Sequence, residues 1–199
     1  MHKPEIVPSL IASSQQELDE RIGKVKAASS TFQLDVMDGK FAPNNSLNFD
    51  FSLPAVGKFE AHLMIEKPLE WIEKHGSKVD TILVHVEPIE DVEKVIETIR
   101  ALGKKPGLAL KPATPVSTIE KYLNLVDEVL VMSVEIGFYG GKFLPETLEK
   151  VKALRQLKPG IDIEVDGGMN PKTIGKAYEA GANLFISGSY IMKSDNPKE

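Results

Sequence analysis

Residues Gln33-Leu34-Asp35-Val36-Met37-Asp38-Gly39 form a short apolar run that ends on two carboxylates and a glycine. Side chains alternate across a strand, so Gln33 and Asp35 share one face while Leu34 and Val36 share the other. A carboxylate on a buried face, with an amide two positions behind it, is costly unless something binds it. Taken alone, Asp35 also fits the plainer role of capping the next loop. His62, His85, Lys111 and Asp166 raise the same choice. A lone His on an apolar strand is commonly a satisfied core residue, an Asp before two glycines commonly a turn residue, and Glu87, Lys111 and Lys142 read as solvated charges. What separates the two readings is whether these side chains meet, and that depends on the elements that carry them.

The chain has 199 residues, 42% of them hydrophobic and 27% charged, with a net charge of -5. That is an ordinary globular composition, long enough for one domain over 1–199 with a sizeable core. The negative balance argues against a nucleic-acid surface, which needs a basic stripe. A small anionic ligand needs only a local site. With no cysteine, disulfides, thiolate nucleophiles and cysteine metal sites are excluded. Neither a signal-peptide h-region nor a run of membrane-spanning length is present, so the expected location is the cytoplasm and no membrane partner is expected.

Strand-like runs alternate with helical patterns throughout. The strand candidates are Ile6 to Leu10, Phe32 to Val36, Phe59 to Ile65, Thr81 to Val86, Gly107 to Leu110, Glu128 to Val134, Asp162 to Val165 and Leu184 to Ser187. Helical patterns cover Gln15 to Ala28, Pro68 to His75, Ile89 to Leu102, Val116 to Leu125, Pro145 to Leu157 and Pro171 to Ala180. Strands separated by helices pair in parallel through right-handed crossovers, and eight such units suggest a closed (β/α)8 TIM barrel. An open doubly wound sheet is the competing architecture. The stretch from Asn48 to Phe59, interrupted by Pro54, leaves room for only a shortened second helix. After Ser189 the eighth helix is missing or a stub, which suggests either that the chain has been trimmed or that a neighbouring subunit covers the exposed strands in a homo-oligomer, a dimer or higher.

A barrel of this type builds its site at the carboxyl ends of the strands. Ser9, Asp35, His62, Met64, His85, Lys111, Met132, Ser133, Asp166 and Ser187 all fall at or near those ends. Two carboxylates and two histidines at one rim exceed what a core requires. Gly167-Gly168-Met169-Asn170-Pro171 reads as a glycine turn, an Asn cap and a first-turn proline, whose free N–H groups favour an anion. Gly188-Ser189 offers a second set and Gly137-Phe138-Tyr139-Gly140-Gly141 a third wall, in keeping with the phosphate sites that barrels form after strands seven and eight.

These residues resemble the ribulose-phosphate 3-epimerase family. The resemblance rests on Pro8-Ser9-Leu10, Leu34 to Gly39 with Phe41 and Pro43-Asn44, His62-Leu63-Met64, Val84 to Glu87 and Gly107 to Pro112 with Thr114. It continues through Val131-Met132, Glu164 to Gly168, Ala180 to Ala182 and Ser187 to Ser189. These segments are collinear and span nearly the whole chain. The resemblance implies a barrel of the phosphate-binding type and a metal-assisted inversion at C3 of D-ribulose 5-phosphate. The residues matching Asp35 and Asp166 would exchange protons with opposite faces of an enediolate. It also implies a divalent ion (zinc, iron, manganese, cobalt or magnesium) held by Asp35, His62 and Asp166. A phosphosugar would lie against Ser9, His62, Gly137, Phe138, Gly140, Gly141, Gly167, Gly168, Gly188 and Ser189.

Two departures stand out. Gln33 occupies the place of a fourth ligand that is normally His, and its carbonyl is a weaker ligand that shifts preference toward harder ions. Ile136 and Tyr139 stand where the family has Pro and Gly, and Tyr139 would be strained if the loop needs positive φ there. The alternatives to be weighed are an epimerase of a six-carbon ketose phosphate, such as allulose 6-phosphate, and a non-catalytic phosphosugar-binding barrel.

Overall fold

The computed structural model describes residues 3–137 and 140–197. The strands are β1 (Glu5–Leu10), β2 (Thr31–Asp38), β3 (Asn45–Ser46), β4 (Lys58–Met64), β5 (Thr81–His85), β6 (Lys105–Leu110), β7 (Glu128–Met132), β8 (Asp162–Asp166) and β9 (Leu184–Ser187). All but β3 pair in parallel with their neighbours, and β1 pairs with both β2 and β9, so the sheet closes into an eight-stranded barrel. The open-sheet alternative is thereby excluded. The two-residue β3 folds back antiparallel on the end of β2, setting Met37 opposite Ser46 and Asp38 opposite Asn45.

Each helix arises where the apolar spacing gives it a face to bury. In α1 (Gln15–Val25) Leu18, Ile22 and Val25 fall on one side, and Ser14 accepts the Glu17 N–H while Glu17 accepts the Ser13 N–H. Pro68 opens α2 (Pro68–His75), and Asp91 caps α3 (Val92–Ala101) by accepting the Lys94 N–H. α4 (Leu148–Leu157) and α5 (Ile174–Ala180) cover the later strands. The last helix, α6 (Ser189–Lys193), has five residues, the stub expected.

Two crossovers are leaner than the pattern suggests. Val116–Thr118 and Glu120–Tyr122 form two 3-10 turns, and Ile119 and Leu123, which follow them, are buried. Between β3 and β4 there is no helix at all. Ser46 and Leu47 tie that connection to β1's exit through Ala12 N–H to Ser46 Oγ (3.0 Å) and Leu47 N–H to Ala12 O (2.8 Å). Leu47 adopts φ of 55° to reach a fully buried position, and Phe51 stacks on Trp71 and His75 of α2. Apolar side chains thus fill the space that a second helix would cover.

Inside the barrel, Leu83, Ala109, Leu130 and Met132 form an apolar layer. Toward the amino ends of the strands lie Glu60, Glu128 and Glu164, all buried, with carboxylate oxygens within 4.8 Å of one another. Burial pushes all three pKa values up; the charge of Glu128 adds to it at Glu60, those of Glu60 and Glu128 add to it at Glu164, and a bond with Glu164 opposes it at Glu128. Were all three ionised together, neither oxygen of Glu164 would have a donor.

Candidate active site

Strand alternation turns Gln33 and Asp35 into the barrel from β2, His62 from β4 and Asp166 from β8. The β2–β4 register sets Asp35 directly opposite His62. Oxygens of Asp35 and Asp166 and a ring nitrogen of His62 lie within 4.8 Å of one another. His62 Nδ1 is 3.3 Å from Asp35 Oδ1 and 3.3 Å from Asp166 Oδ2. The Gln33 amide nitrogen donates to the same pair, at 2.7 Å to Asp35 Oδ1 and 3.2 Å to Asp166 Oδ2. Two carboxylates on different strands therefore share one centre.

Electrostatics follow from that crowding. Burial pushes the Asp35 pKa up, opposed by the bond from His62 and reinforced by the charge of Asp166. For His62, burial alone favours the neutral ring, but the bonds to Asp166 and Asp35 prevail and hold its pKa at about 9. The geometry also fits a divalent cation. One ring nitrogen lies 3.3 Å from an oxygen of each of two carboxylates, so Asp35, His62 and Asp166 would together hold such an ion. In addition, the carbonyl oxygen of Gln33 is buried without a hydrogen-bond partner. Turning that amide over would exchange nitrogen for oxygen at the shared centre and complete a four-ligand set.

Behind His62 the polar chain continues. His62 Nε2 is 2.9 Å from His85 Nε2, and His85 Nδ1 is 3.1 Å from Glu87 Oε2. Glu87 Oε1 accepts the Lys111 N–H (2.8 Å) and the Thr114 hydroxyl (2.5 Å). Burial lowers the His85 pKa to about 4 against the pull of Glu87. Glu87 is held at about 2, because its bonds, that to His85 foremost, outweigh burial. Glu87 is thus tied to the buried His85 by a hydrogen bond while its own surface stays open to solvent, which is more than a solvated charge does. Lys111 spans both descriptions: its ammonium lies 3.7 Å over the Phe41 ring while its N–H holds Glu87.

Above the carboxylates opens a cavity of about 300 Å3. Its lining includes Ser9, Asp35 and Asp166 together with Gly137, Gly140, Gly141, Gly167, Gly168, Gly188 and Ser189. All the described residues expected at a ligand site therefore border it except His62 and Gln33, which are fully buried. Phe138 and Tyr139 lie outside the described residues. The loops need their glycines. Gly167 has φ of 117°, and a Cβ there would sit 2.5 Å from Val134 Cγ2; at Gly137, φ is 83° and a Cβ would meet Pro43 Cδ at 2.3 Å. Asn44 Nδ2 donates to Gly137 O, joining the loops after β2 and β7. Among the lining residues that sequence reasoning passed over are Met37 and Asn45. Met37 was legible, since it continues the Gln33 and Asp35 face of β2 two positions on; Asn45 depends on the β3 hairpin, which no run of residues announces.

Residues 5–192 match the family described as Ribulose-phosphate 3 epimerase family. Among curated proteins, the cytoplasmic isoform of ribulose-phosphate 3-epimerase from Oryza sativa subsp. japonica is 39% identical, over 98% of this chain and 90% of that protein. The ribulose-phosphate 3-epimerase of Synechocystis is 38% identical over the same shares. Among solved structures, mutant tryptophan synthase alpha-subunits from Pyrococcus furiosus are similar. One has a TM-score of 0.69 at 20% identity, covering 97% of this chain and 91% of that one, which establishes likeness of fold.

Proposed function

The chain belongs to the ribulose-phosphate 3-epimerase family, and from that premise we propose that it inverts C3 of D-ribulose 5-phosphate to give D-xylulose 5-phosphate. One of Asp35 and Asp166 takes the C3 proton from one face of the sugar; the other returns a proton to the opposite face of the enediolate, and the reverse direction exchanges the roles. The observation that carries this reading is the shared centre, where two carboxylates from β2 and β8 are bridged by His62 and Gln33 at the floor of a glycine-walled cavity. A raised pKa makes Asp35 a stronger base for a carbon acid than an exposed aspartate.

A divalent cation held by Asp35, His62, Asp166 and the Gln33 carbonyl would supply Lewis-acid stabilisation of charge on the sugar oxygens. The carbonyl ligand favours a harder ion such as magnesium or manganese over zinc. Gly140, Gly141, Gly167, Gly168, Gly188 and Ser189 bring backbone close enough to hold the phosphate, and Ser9 borders the sugar. Met37, Met64 and Met132 line the same cavity and limit water around the reacting carbon. The protein acts in the cytoplasm in this reading; among the described residues no helix is long and apolar enough to cross a membrane. Ile6 and Tyr190, 47% and 53% exposed, leave an apolar face beside α6 that a homo-oligomer would cover.

The test is direct. With saturating divalent metal, the wild-type protein converts ribulose 5-phosphate to xylulose 5-phosphate, and Asp35→Asn and Asp166→Asn each lose about 10²–10⁴-fold in kcat. Clean, metal-loaded protein that binds the sugar phosphate without converting it would instead indicate a binding barrel.

A further inference from the structure

Glu87 and His85 lie behind the site and have no part in the two-carboxylate scheme. We propose that Glu87, acting through His85, fixes a proton on Nε2 of His62 and so leaves Nδ1 as the nitrogen that serves the Asp35–Asp166 centre. Both are positioning residues in this account, which rests on the cation reading above only for its effect on metal affinity.

Donors and acceptors along this chain of side chains fix where each proton sits. Glu87 Oε1 already receives an N–H from Lys111 and the hydroxyl of Thr114, at 2.8 and 2.5 Å, so this side chain acts as an acceptor. Its Oε2, 3.1 Å from His85 Nδ1, therefore calls for a proton on that nitrogen. The Nε2 atoms of His85 and His62 approach to 2.9 Å, and such a pair is bonded only when one proton lies between them. With the His85 proton on Nδ1, the shared proton belongs to His62 Nε2. His62 Nδ1 then faces Asp35 and Asp166, 3.3 Å from each, and the proton those carboxylates hold on it in the metal-free protein is the one that a cation would displace.

The arrangement is held in place. Phe41 packs on the His85 ring at 5.0 Å between centroids. Lys150 Nζ donates to the carbonyls of Lys111 and Thr114, at 2.7 and 2.6 Å, fixing the loop that orients Glu87. Neither His ring has any exposed surface in its side chain, so water cannot substitute for a missing partner.

Glu87→Gln distinguishes this role from packing. Lys111 and Thr114 still demand an acceptor, so the new carbonyl takes the place of Oε1 and its NH2 faces His85 Nδ1. His85 must then accept at Nδ1 and donate from Nε2, which forces the His62 proton onto Nδ1, the side the cation needs. Glu87→Ala removes the instruction without reversing it. Ring-nitrogen NMR of the metal-free proteins is expected to find the His85 proton on Nδ1 in the wild type and on Nε2 in Glu87→Gln. Titration with Mn2+ is expected to show about 10–100-fold weaker binding for Glu87→Gln and a smaller loss for Glu87→Ala. A doubly protonated His85, an unchanged tautomer in Glu87→Gln, or an alanine variant that binds Mn2+ worse than the glutamine variant overturns the proposal. Wild-type protein that fails to bind Mn2+ contradicts the cation reading, and the ring-nitrogen pattern then decides the proposal on its own.

Discussion

With its amide nitrogen 2.7 Å from Asp35 and 3.2 Å from Asp166, Gln33 joins the two carboxylates by hydrogen bonds where the family's usual His would offer a lone pair. A neutral amide cannot cancel their charge. His62 supplies the compensation, which is why its pKa is raised so far above that of a buried imidazole. Gln33→His should therefore raise affinity for Zn2+ by about tenfold or more relative to Mg2+, measured by competition against a chelator. An unchanged preference would mean that Gln33 stays outside the coordination sphere. At this scale Gln33, Asp35 and Asp166 were legible because strand alternation alone puts each inside the barrel at a known end. The His85–Glu87 pair was not: Glu87 precedes Pro88 at the end of the crossover strand, where a solvated charge is the ordinary expectation. Its orientation toward His85 depends on bonds from Thr114 and Lys111, more than twenty residues away.

Among the elements, the loops after β7, β8 and β9 set the shape of the cavity, and they do so with backbone rather than side chains. Gly167 illustrates the constraint: its φ of 117° disfavours any L side chain, and a Cβ would come within 2.9 Å of Val134 N as well as the Val134 methyls. Gly167→Ala should cost about 1–3 kcal/mol in urea unfolding and raise KM for the sugar phosphate more than it lowers kcat. A KM unchanged in a folded variant would remove this loop from the phosphate site. The order of strands and the stub α6 were readable from hydrophobic runs and their spacing. The second connection was only half readable, because Leu47 and Phe51 pack there without helical periodicity and are pinned by long-range bonds to Ala12 and stacking on α2. The fifth crossover buries Ile119 and Leu123 as a helix would, but each follows a 3-10 turn.

On the scale of the whole molecule, the barrel carries two acidic clusters at different depths, with opposite consequences. The upper one, Asp35 and Asp166, is paired with His62 and Gln33 and open to a cavity. The lower one, Glu60, Glu128 and Glu164, is sealed. Burial raises the folded-state pKa of Glu128 above its unfolded value. Its contribution to stability is therefore fully present below about pH 4.5, the ordinary range of a glutamate, and is lost as pH rises through the folded value. Glu128→Gln should remove that loss, so that by urea unfolding the variant is more stable relative to wild type at pH 8 than at pH 4.5. A pH-independent difference would mean that the carboxyl is compensated in the folded barrel. That cluster was invisible in sequence, because each Glu sits singly on its own strand and only barrel closure brings the three together.

The account as a whole turns on Asp35 and Asp166 serving opposite faces of one carbon. Solvent-deuterium exchange at C3, followed separately from ribulose 5-phosphate and from xylulose 5-phosphate, tests that directly. The wild type should incorporate deuterium from either sugar with inversion. Asp35→Asn and Asp166→Asn should each retain exchange with one epimer only, without inversion, and the retained epimer should differ between them. Inversion surviving at the wild-type rate in either variant, or both variants exchanging the same epimer, would contradict the two-carboxylate account.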